Sequence, residues 1–118
     1  MGFTYVTVRV YSIDIAKWED VEVLVDSGAL LTSIPRSILE RLGFKPITRR
    51  KLRVYGGSLV ERDIGGVVVE YEGQRAIVPV IFGEEGDIPV LGVTALEALG
   101  YQIDSLSKKL KPTELLMV

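Results

Sequence analysis

The stretch from Val21 to Pro35 constrains the fold of this chain more than any other, because it joins a buried strand directly to a sharp turn. Val21, Val23 and Val25 recur every two residues, which predicts a strand with one buried face. Asp26-Ser27-Gly28 follows at once, and these residue types favour a tight turn. A carboxylate therefore stands at the end of an apolar strand, where an acid needs a partner or a proton.

Alternating apolar and polar residues continue through most of the chain and predict an all-β fold. The segment from Phe3 to Ser12 alternates in this way and is expected to form a hairpin with the strand that runs into Asp26. Further strands are predicted at 31–34, 52–55, 59–64, 67–71, 75–82, 89–92, 101–104 and 108–118. Gly56-Gly57, Gly65-Gly66 and Glu72-Gly73 are interpreted as turns between strands.

Two short helices are predicted among these strands. The first begins at Pro35 and ends before Gly43, and the second runs from Thr94 to Leu99 and ends at Gly100. The chain has 118 residues and contains no linker, repeat or low-complexity segment. The sequence therefore predicts a single domain over residues 1–118.

Composition excludes several kinds of chemistry. The chain contains no cysteine and no histidine, so a thiol nucleophile, a Cys/His zinc site and a Ser-His-Asp triad are excluded. No metal or other cofactor is expected. The acids are dispersed rather than spaced as an oxygen cage for a cation.

Charge and hydropathy argue against nucleic acid and membrane partners. The net charge of −2 leaves no basic footprint for nucleic acid. The longest apolar runs, such as residues 76–82, are far shorter than the roughly 18 residues that a membrane span needs. The N-terminus shows no secretory signal pattern, because Arg9 interrupts its apolar stretch. A soluble, cytoplasmic protein is the expectation.

Four segments together resemble the retropepsin-like aspartic proteases. Leu24 to Ala29, with its Asp26-Ser27-Gly28-Ala29 turn, is similar to the active-site turn of that family, and Val90-Leu91-Gly92 is similar to its element of two hydrophobic residues and a glycine. The helix from Thr94 to Leu99 falls where the family's C-terminal helix follows. Tyr55, Gly56, Gly57 and Ser58 stand where the glycine-tipped flap is expected. The resemblance extends from about residue 21 to residue 104.

The resemblance implies a closed acid-protease barrel with one or two short helices and an endopeptidase that cleaves polypeptides. Such proteases use two carboxylates about 3 Å apart that share one proton. This chain supplies one turn of that kind, so a working site implies a homodimer with one catalytic Asp26 from each subunit. Ser27 is expected to hydrogen-bond across the axis, Gly28 to permit close approach, and Ala29 to keep the floor of the site small.

The chain departs from the retroviral pattern at three positions. Acidic residues commonly follow the active-site alanine in retroviral members, and an arginine follows the glycine of the second element, whereas this chain has Leu30, Leu31 and Val93. Losing the acid and the base together leaves no orphan charge. These three residues are therefore candidates for apolar substrate subsites.

Simpler interpretations stand beside these. Asp26 is also consistent with a turn aspartate that caps its own backbone. Gly56-Gly57 is consistent with an ordinary hairpin turn, and Val90-Leu91-Gly92 with the end of a core strand. The apolar end from Leu115 to Val118 fits either a subunit interface or packing onto its own domain. A non-catalytic peptide-binding or dimerisation module on the same fold is the alternative to an enzyme.

Overall fold

The computed structural model describes residues 3–54 and 56–117, and strands dominate this part of the chain. The strands are β1 (Thr4–Tyr11), β2 (Trp18–Val25), β3 (Thr32–Pro35), β4 (Thr48–Arg53), β5 (Leu59–Tyr71), β6 (Gln74–Gly83), β7 (Val90–Leu91), β8 (Tyr101–Ile103) and β9 (Leu110–Pro112). The helices are α1 (Arg36–Arg41) and α2 (Val93–Leu99). The prediction of a mostly β protein with short helices is confirmed.

Seven of these strands form one sheet in the order β1-β2-β7-β3-β6-β5-β4. β1 and β2 form the predicted antiparallel hairpin, with Thr4 opposite Val25 and Tyr11 opposite Trp18. β1 also pairs with β5, from Arg9 opposite Glu70 to Tyr11 opposite Val68, so that the pairings return to β1. β7 lies between β2 and β3, parallel to the first and antiparallel to the second, and so joins the strand that ends at Asp26 to the rest of the sheet.

The core consists of the inward-facing residues of these strands and one side of each helix. The largest fully buried apolar side chains are Val8, Val10, Val23, Ile34, Leu39, Val67, Val69, Val78, Val80, Phe82 and Leu91. Ala95, Leu96 and Leu99 of α2 pack against the same cluster. Each such valine or leucine side chain stabilises the fold by about 1.5–3 kcal/mol relative to its exposed state.

Positive backbone φ angles mark several of the predicted helix ends and turns. Gly43 (φ 92°) follows α1 and Gly100 (φ 82°) caps α2, as the helix-end signals predict. Glu72 (φ 48°) and Gly73 (φ 82°) form the tip of the β5–β6 hairpin. Neither helix of the described residues is long and apolar enough to cross a membrane.

The predicted turn at Gly65-Gly66 is wrong, because β5 runs unbroken from Leu59 to Tyr71. Gly65 is buried, and a Cβ atom there would lie 3.1 Å from Cε1 of Phe82 and 3.3 Å from the carbonyl oxygen of Lys45. The absence of a side chain therefore permits close packing within a strand rather than a change of direction.

The predicted closing strand over Lys108–Val118 is also wrong in its extent, because β9 spans only Leu110–Pro112. β9 pairs with β8 in a separate two-stranded sheet, and Pro112 lies opposite Tyr101. The Thr113 N–H still donates to the carbonyl oxygen of Gly100 at 2.8 Å, but Gly100 has the left-handed conformation that ends α2, and the strand pairing does not continue past it. Residues 113–117 are exposed and outside regular structure.

Candidate active site

Asp26 lies at the exposed end of β2, and its backbone is held on both sides. The Asp26 N–H donates to the carbonyl oxygen of Leu91 at 3.1 Å, which continues the pairing of β2 with β7. The Asp26 carbonyl oxygen accepts from the N–H of Ala29 at 3.1 Å and closes the turn. Asp26, Ser27 and Gly28 are all exposed, so the turn presents its carboxylate to solvent.

The carboxylate of Asp26 is oriented by its own turn. Its Oδ1 accepts a hydrogen bond from the N–H of Gly28 at 2.8 Å. A Cβ atom on Gly28 would stand 3.2 Å from the same oxygen, so glycine gives this contact the room it needs. Within the described residues, Oδ2 accepts no hydrogen bond and no lysine or arginine pairs with Asp26.

The segment that follows β7 is hydrogen-bonded to the residues that follow the Asp26 turn. The N–H groups of Val93 and Thr94 donate to the carbonyl oxygens of Ala29 and Leu30 at 2.7 and 3.1 Å. Gly92 is buried, and a Cβ atom on it would lie 2.5 Å from the carbonyl oxygen of Leu31. Only a residue without a side chain fits here. The structure thus brings Val90-Leu91-Gly92 and the Asp26 turn into contact.

The proposed subsite residues also belong to this group. Leu30 is 67% exposed next to the turn, and Leu31 and Val93 are half-buried. The hydrogen bond from Val93 to Ala29 places the two segments side by side. The backbone bonds thus bring the segments that carry these three apolar residues together beside the Asp26 turn.

Thr32 is a residue of this site that sequence reasoning missed. Its side chain is 1% exposed, and its Oγ1 accepts a hydrogen bond from the N–H of Gly92 at 3.1 Å. The only signal in the sequence is a hydroxyl at an inward-facing position of a short apolar strand, where Thr32 alternates with Ile34. That signal does not reveal the partner.

The expected flap is an exposed hairpin of β4 and β5. Gly56 and Gly57 have φ angles of 99° and 96°, and the Val54 N–H donates to the carbonyl oxygen of Ser58 at 2.9 Å. Tyr55, which was also predicted to belong to the flap, lies outside the described residues. The hydrogen bonds described for residues 56–58 join them to their own hairpin, and none of these bonds reaches the Asp26 turn.

Ion pairs made by two arginines connect the end of this hairpin that is remote from its tip to the body of the protein. Arg62 donates to both carboxylate oxygens of Asp87, at 2.7 and 2.9 Å. Arg36 bonds both Asp63 and Glu84. The loop that carries Glu84 and Asp87 leads into β7, so the hairpin is tied to the segment that holds the Asp26 turn.

The other aspartates that precede strand or turn signals have partners of their own. Arg36 and then Arg49 lower the pKa of Asp63, and Arg62 lowers the pKa of Asp87. The Ser107 hydroxyl and the Leu106 N–H lower the pKa of Asp104 by bonding its charged form. These carboxylates serve the fold, whereas Asp26 has no charged partner among the described residues.

Among residues 3–54 and 56–117, no group of three or more acidic side chains is placed to hold a metal ion. No protein-family model matches the chain. No curated protein shows significant similarity to it.

Proposed function

We propose that this chain is a homodimeric aspartic endopeptidase of the retropepsin-like type, with Asp26 of each subunit in a shared catalytic dyad. One observation carries the proposal: Asp26 is an exposed carboxylate without a charged partner in the described residues, on a turn held by the segment from Leu91 to Thr94. A surface carboxylate with only a structural role does not need its turn to be held this rigidly by a second backbone segment. A catalytic acid does, because its geometry decides the rate.

The strand pairings support the closed acid-protease barrel. They run from β1 through β2, β7, β3, β6 and β5 and return to β1. β4 extends from this ring as the outer strand of the exposed hairpin. A closed ring removes free strand edges, and it leaves the hairpin as the element able to cover a substrate.

A second copy supplies what one chain lacks. Phe3 is 74% exposed and precedes Thr4, which lies opposite Val25 next to Asp26. The Thr4 hydroxyl donates to the carbonyl oxygen of Lys108, close in sequence to Leu106, which is 92% exposed. Phe3 and Leu106 are thus exposed apolar residues close in the chain to segments at the end of β2 that carries Asp26, and a subunit interface there would cover them.

In the proposed dimer the two carboxylates lie about 3 Å apart and hold one proton between them, because like charges that close cannot both ionise. The protonated acid polarises the peptide carbonyl group. The ionised acid accepts a proton from the water that attacks the carbonyl carbon. As the water oxygen bonds to the carbonyl carbon, the protonated acid gives its proton to the carbonyl oxygen. The C–N bond then breaks while the second acid passes the proton that it took from water to the amide nitrogen, and a hydroxyl of the tetrahedral intermediate returns a proton to the first carboxylate. The dyad is then in its starting state, and no covalent bond forms between enzyme and substrate.

The neighbouring residues have defined roles in this proposal. Ser27 hydrogen-bonds across the axis, and Gly28 and Ala29 keep the meeting point free of bulk. The substrate lies extended between the turn and the β4–β5 hairpin, as an added strand. The hairpin closes over it and excludes water, with Gly56 and Gly57 at its tip. Leu30, Leu31 and Val93 accept apolar side chains.

Replacing Asp26 by asparagine tests the proposal. Asp26→Asn keeps the oxygen that bonds Gly28 but cannot carry the shared charge, so cleavage of an unfolded protein substrate should fall by about 10²–10⁴-fold, with fold and dimer unchanged. Asp14→Asn is the matched control, because Asp14 likewise bonds the N–H two residues ahead, at 3.0 Å, in an exposed turn. Persistent cleavage by purified Asp26→Asn would show that the mechanism is wrong.

A non-catalytic binding or dimerisation module is the second candidate. The bond from Gly28 to Asp26 favours it, because an aspartate that caps its own turn has a structural role already. Sedimentation combined with a turnover assay over a pH series separates the two. A dimer that cleaves no unfolded protein at any pH supports the module, and cleavage in the acidic range supports the protease.

A further inference from the structure

Thr32 is the most buried polar side chain of the site. Its exposure is 1%, and it lies on β3 opposite Val80 in an otherwise apolar interior. Threonine and valine have nearly the same shape, so the packing alone would accept valine. The hydroxyl is what distinguishes threonine here, and its Oγ1 accepts the N–H of Gly92.

Gly92 connects this hydroxyl to Asp26 in one further step. The peptide unit that supplies the Gly92 N–H also supplies the Leu91 carbonyl oxygen, and that oxygen accepts the N–H of Asp26 at 3.1 Å. A peptide unit is planar, so fixing its N–H also fixes the direction of its carbonyl oxygen. The Thr32 hydroxyl therefore determines where Leu91 anchors the backbone of Asp26.

The hydrogen bond to Thr32 is the one that the Gly92 N–H makes within the described residues. The Gly92 carbonyl oxygen belongs to the next peptide unit, where it accepts the N–H of Leu96 at 3.1 Å. Loss of the Thr32 oxygen would leave a buried N–H without an acceptor, and the segment would shift to satisfy it. Such a shift would also move the Leu91 carbonyl oxygen, to which the N–H of Asp26 donates.

We infer that Thr32 is a positioning residue, whose hydroxyl holds the Gly92 peptide and thereby sets the position of the Asp26 carboxylate. The inference rests on the proposed protease function for its catalytic consequence. Its structural part, the dependence of the Asp26 backbone on the Thr32 hydroxyl, stands on the hydrogen bonds of this chain.

Amide hydrogen exchange of the full chain, followed residue by residue by NMR, tests the structural part without reference to activity. In Thr32→Val, the amides of Asp26, Gly92 and Val93 should exchange about tenfold faster or more than in the wild type, and amides of the β5–β6 ladder should not change. Thr32→Ser keeps the hydroxyl and should restore slow exchange. Wild-type exchange rates in Thr32→Val would overturn the inference.

Kinetics on the same variants test the catalytic part. Thr32→Val should lower kcat by about ten- to a hundredfold with little change in KM, and Thr32→Ser should recover most of kcat. Ser12→Ala is the control: it removes another buried hydroxyl that accepts a backbone N–H, that of Lys17 at 3.1 Å, at the opposite end of the β1–β2 hairpin. It should leave kcat unchanged.

The outcomes separate this inference from the proposed function. A wild-type dimer that cleaves no substrate contradicts the protease proposal, and the exchange rates then still decide whether Thr32 holds the Asp26 backbone. An active wild type whose Thr32→Val variant exchanges faster but keeps full kcat overturns the positioning role. Equal losses of kcat in Thr32→Val and Thr32→Ser would also overturn it, because the hydroxyl would not be the cause.

Discussion

Asp14 and Asp26 show how little the local geometry of an aspartate says about its role. Each accepts a hydrogen bond from the N–H two residues ahead, at 3.0 and 2.8 Å. Asp14 is in a loop where its carboxylate also accepts from the Ser12 hydroxyl, and this bond lowers its pKa. The backbone of Asp26 is instead held by β7, because its N–H donates to the carbonyl oxygen of Leu91. The difference lies in what supports each turn.

Gly92 tests that support at the level of one residue. Gly92→Ala should destabilise the protein by about 1–3 kcal/mol, because the new methyl group would lie 2.5 Å from the backbone oxygen of Leu31. Urea denaturation at a fixed protein concentration measures the change. Gly66→Ala is the control, because its Cβ would meet its nearest atom, the Val78 carbonyl oxygen, only at 3.9 Å. An unchanged midpoint in Gly92→Ala would contradict the close contact.

Sequence patterns predicted the local part of this site and not its long-range part. The strand into Asp26 and the turn after it follow from residue types that are adjacent in the chain. The bond from Gly92 to Thr32 joins residues 60 positions apart, and no periodic pattern specifies such a pair. Only the family resemblance placed Val90-Leu91-Gly92 near the turn, and it did not identify Thr32.

At the level of elements, glycine was the least reliable signal. Gly43, Gly73 and Gly100 mark real ends and turns, and each has a positive φ angle. Gly65 lies within a strand because it makes room for Phe82 and for the Lys45 carbonyl oxygen. Glycine has two physical uses, conformational freedom and small size, and the sequence alone does not say which one applies.

The ion pair between Arg62 of β5 and Asp87 of the loop before β7 makes the free energy of unfolding depend on pH. Arg62 lowers the pKa of Asp87 in the folded state, whereas in the unfolded chain an aspartate has a pKa of about 3.9. The stabilisation is therefore present above about pH 4 and is lost as pH falls through the lower folded value. For this bidentate pair we expect a loss of about 1.5–3 kcal/mol.

Denaturant unfolding between pH 7 and pH 2.5 measures this loss. In the wild type, the denaturant concentration at the midpoint of unfolding should decrease once the pH is lowered below about 4. Asp87→Asn should begin from a lower midpoint at pH 7 and show a smaller further decrease. Glu85→Gln is the control, since Glu85 is an exposed carboxylate of the same loop without an ion pair among the described residues. Identical pH profiles for Asp87→Asn and the wild type would contradict a stabilising role for the pair.

At the level of the whole molecule, the proposed mechanism needs two chains, because the sequence holds one Asp-Ser-Gly-Ala turn. The proposed subunit contact is on the same surface as the proposed chemistry. Assembly and activity should therefore be lost together, and a monomer should keep its fold while it loses all turnover.

Dilution and subunit mixing test this requirement. Below the dimer dissociation constant, the cleavage rate should rise with the square of total protein concentration, because each active unit needs two chains. When the wild type is allowed to exchange subunits with an equal amount of Asp26→Asn, about a quarter of the dimers carry two Asp26 residues if pairing is random. Activity per wild-type chain should then fall to about half, whereas Asp14→Asn as the added subunit should cause no loss. A rate that stays proportional to protein concentration in a monomeric sample would mean that Asp26 does not work with its own copy.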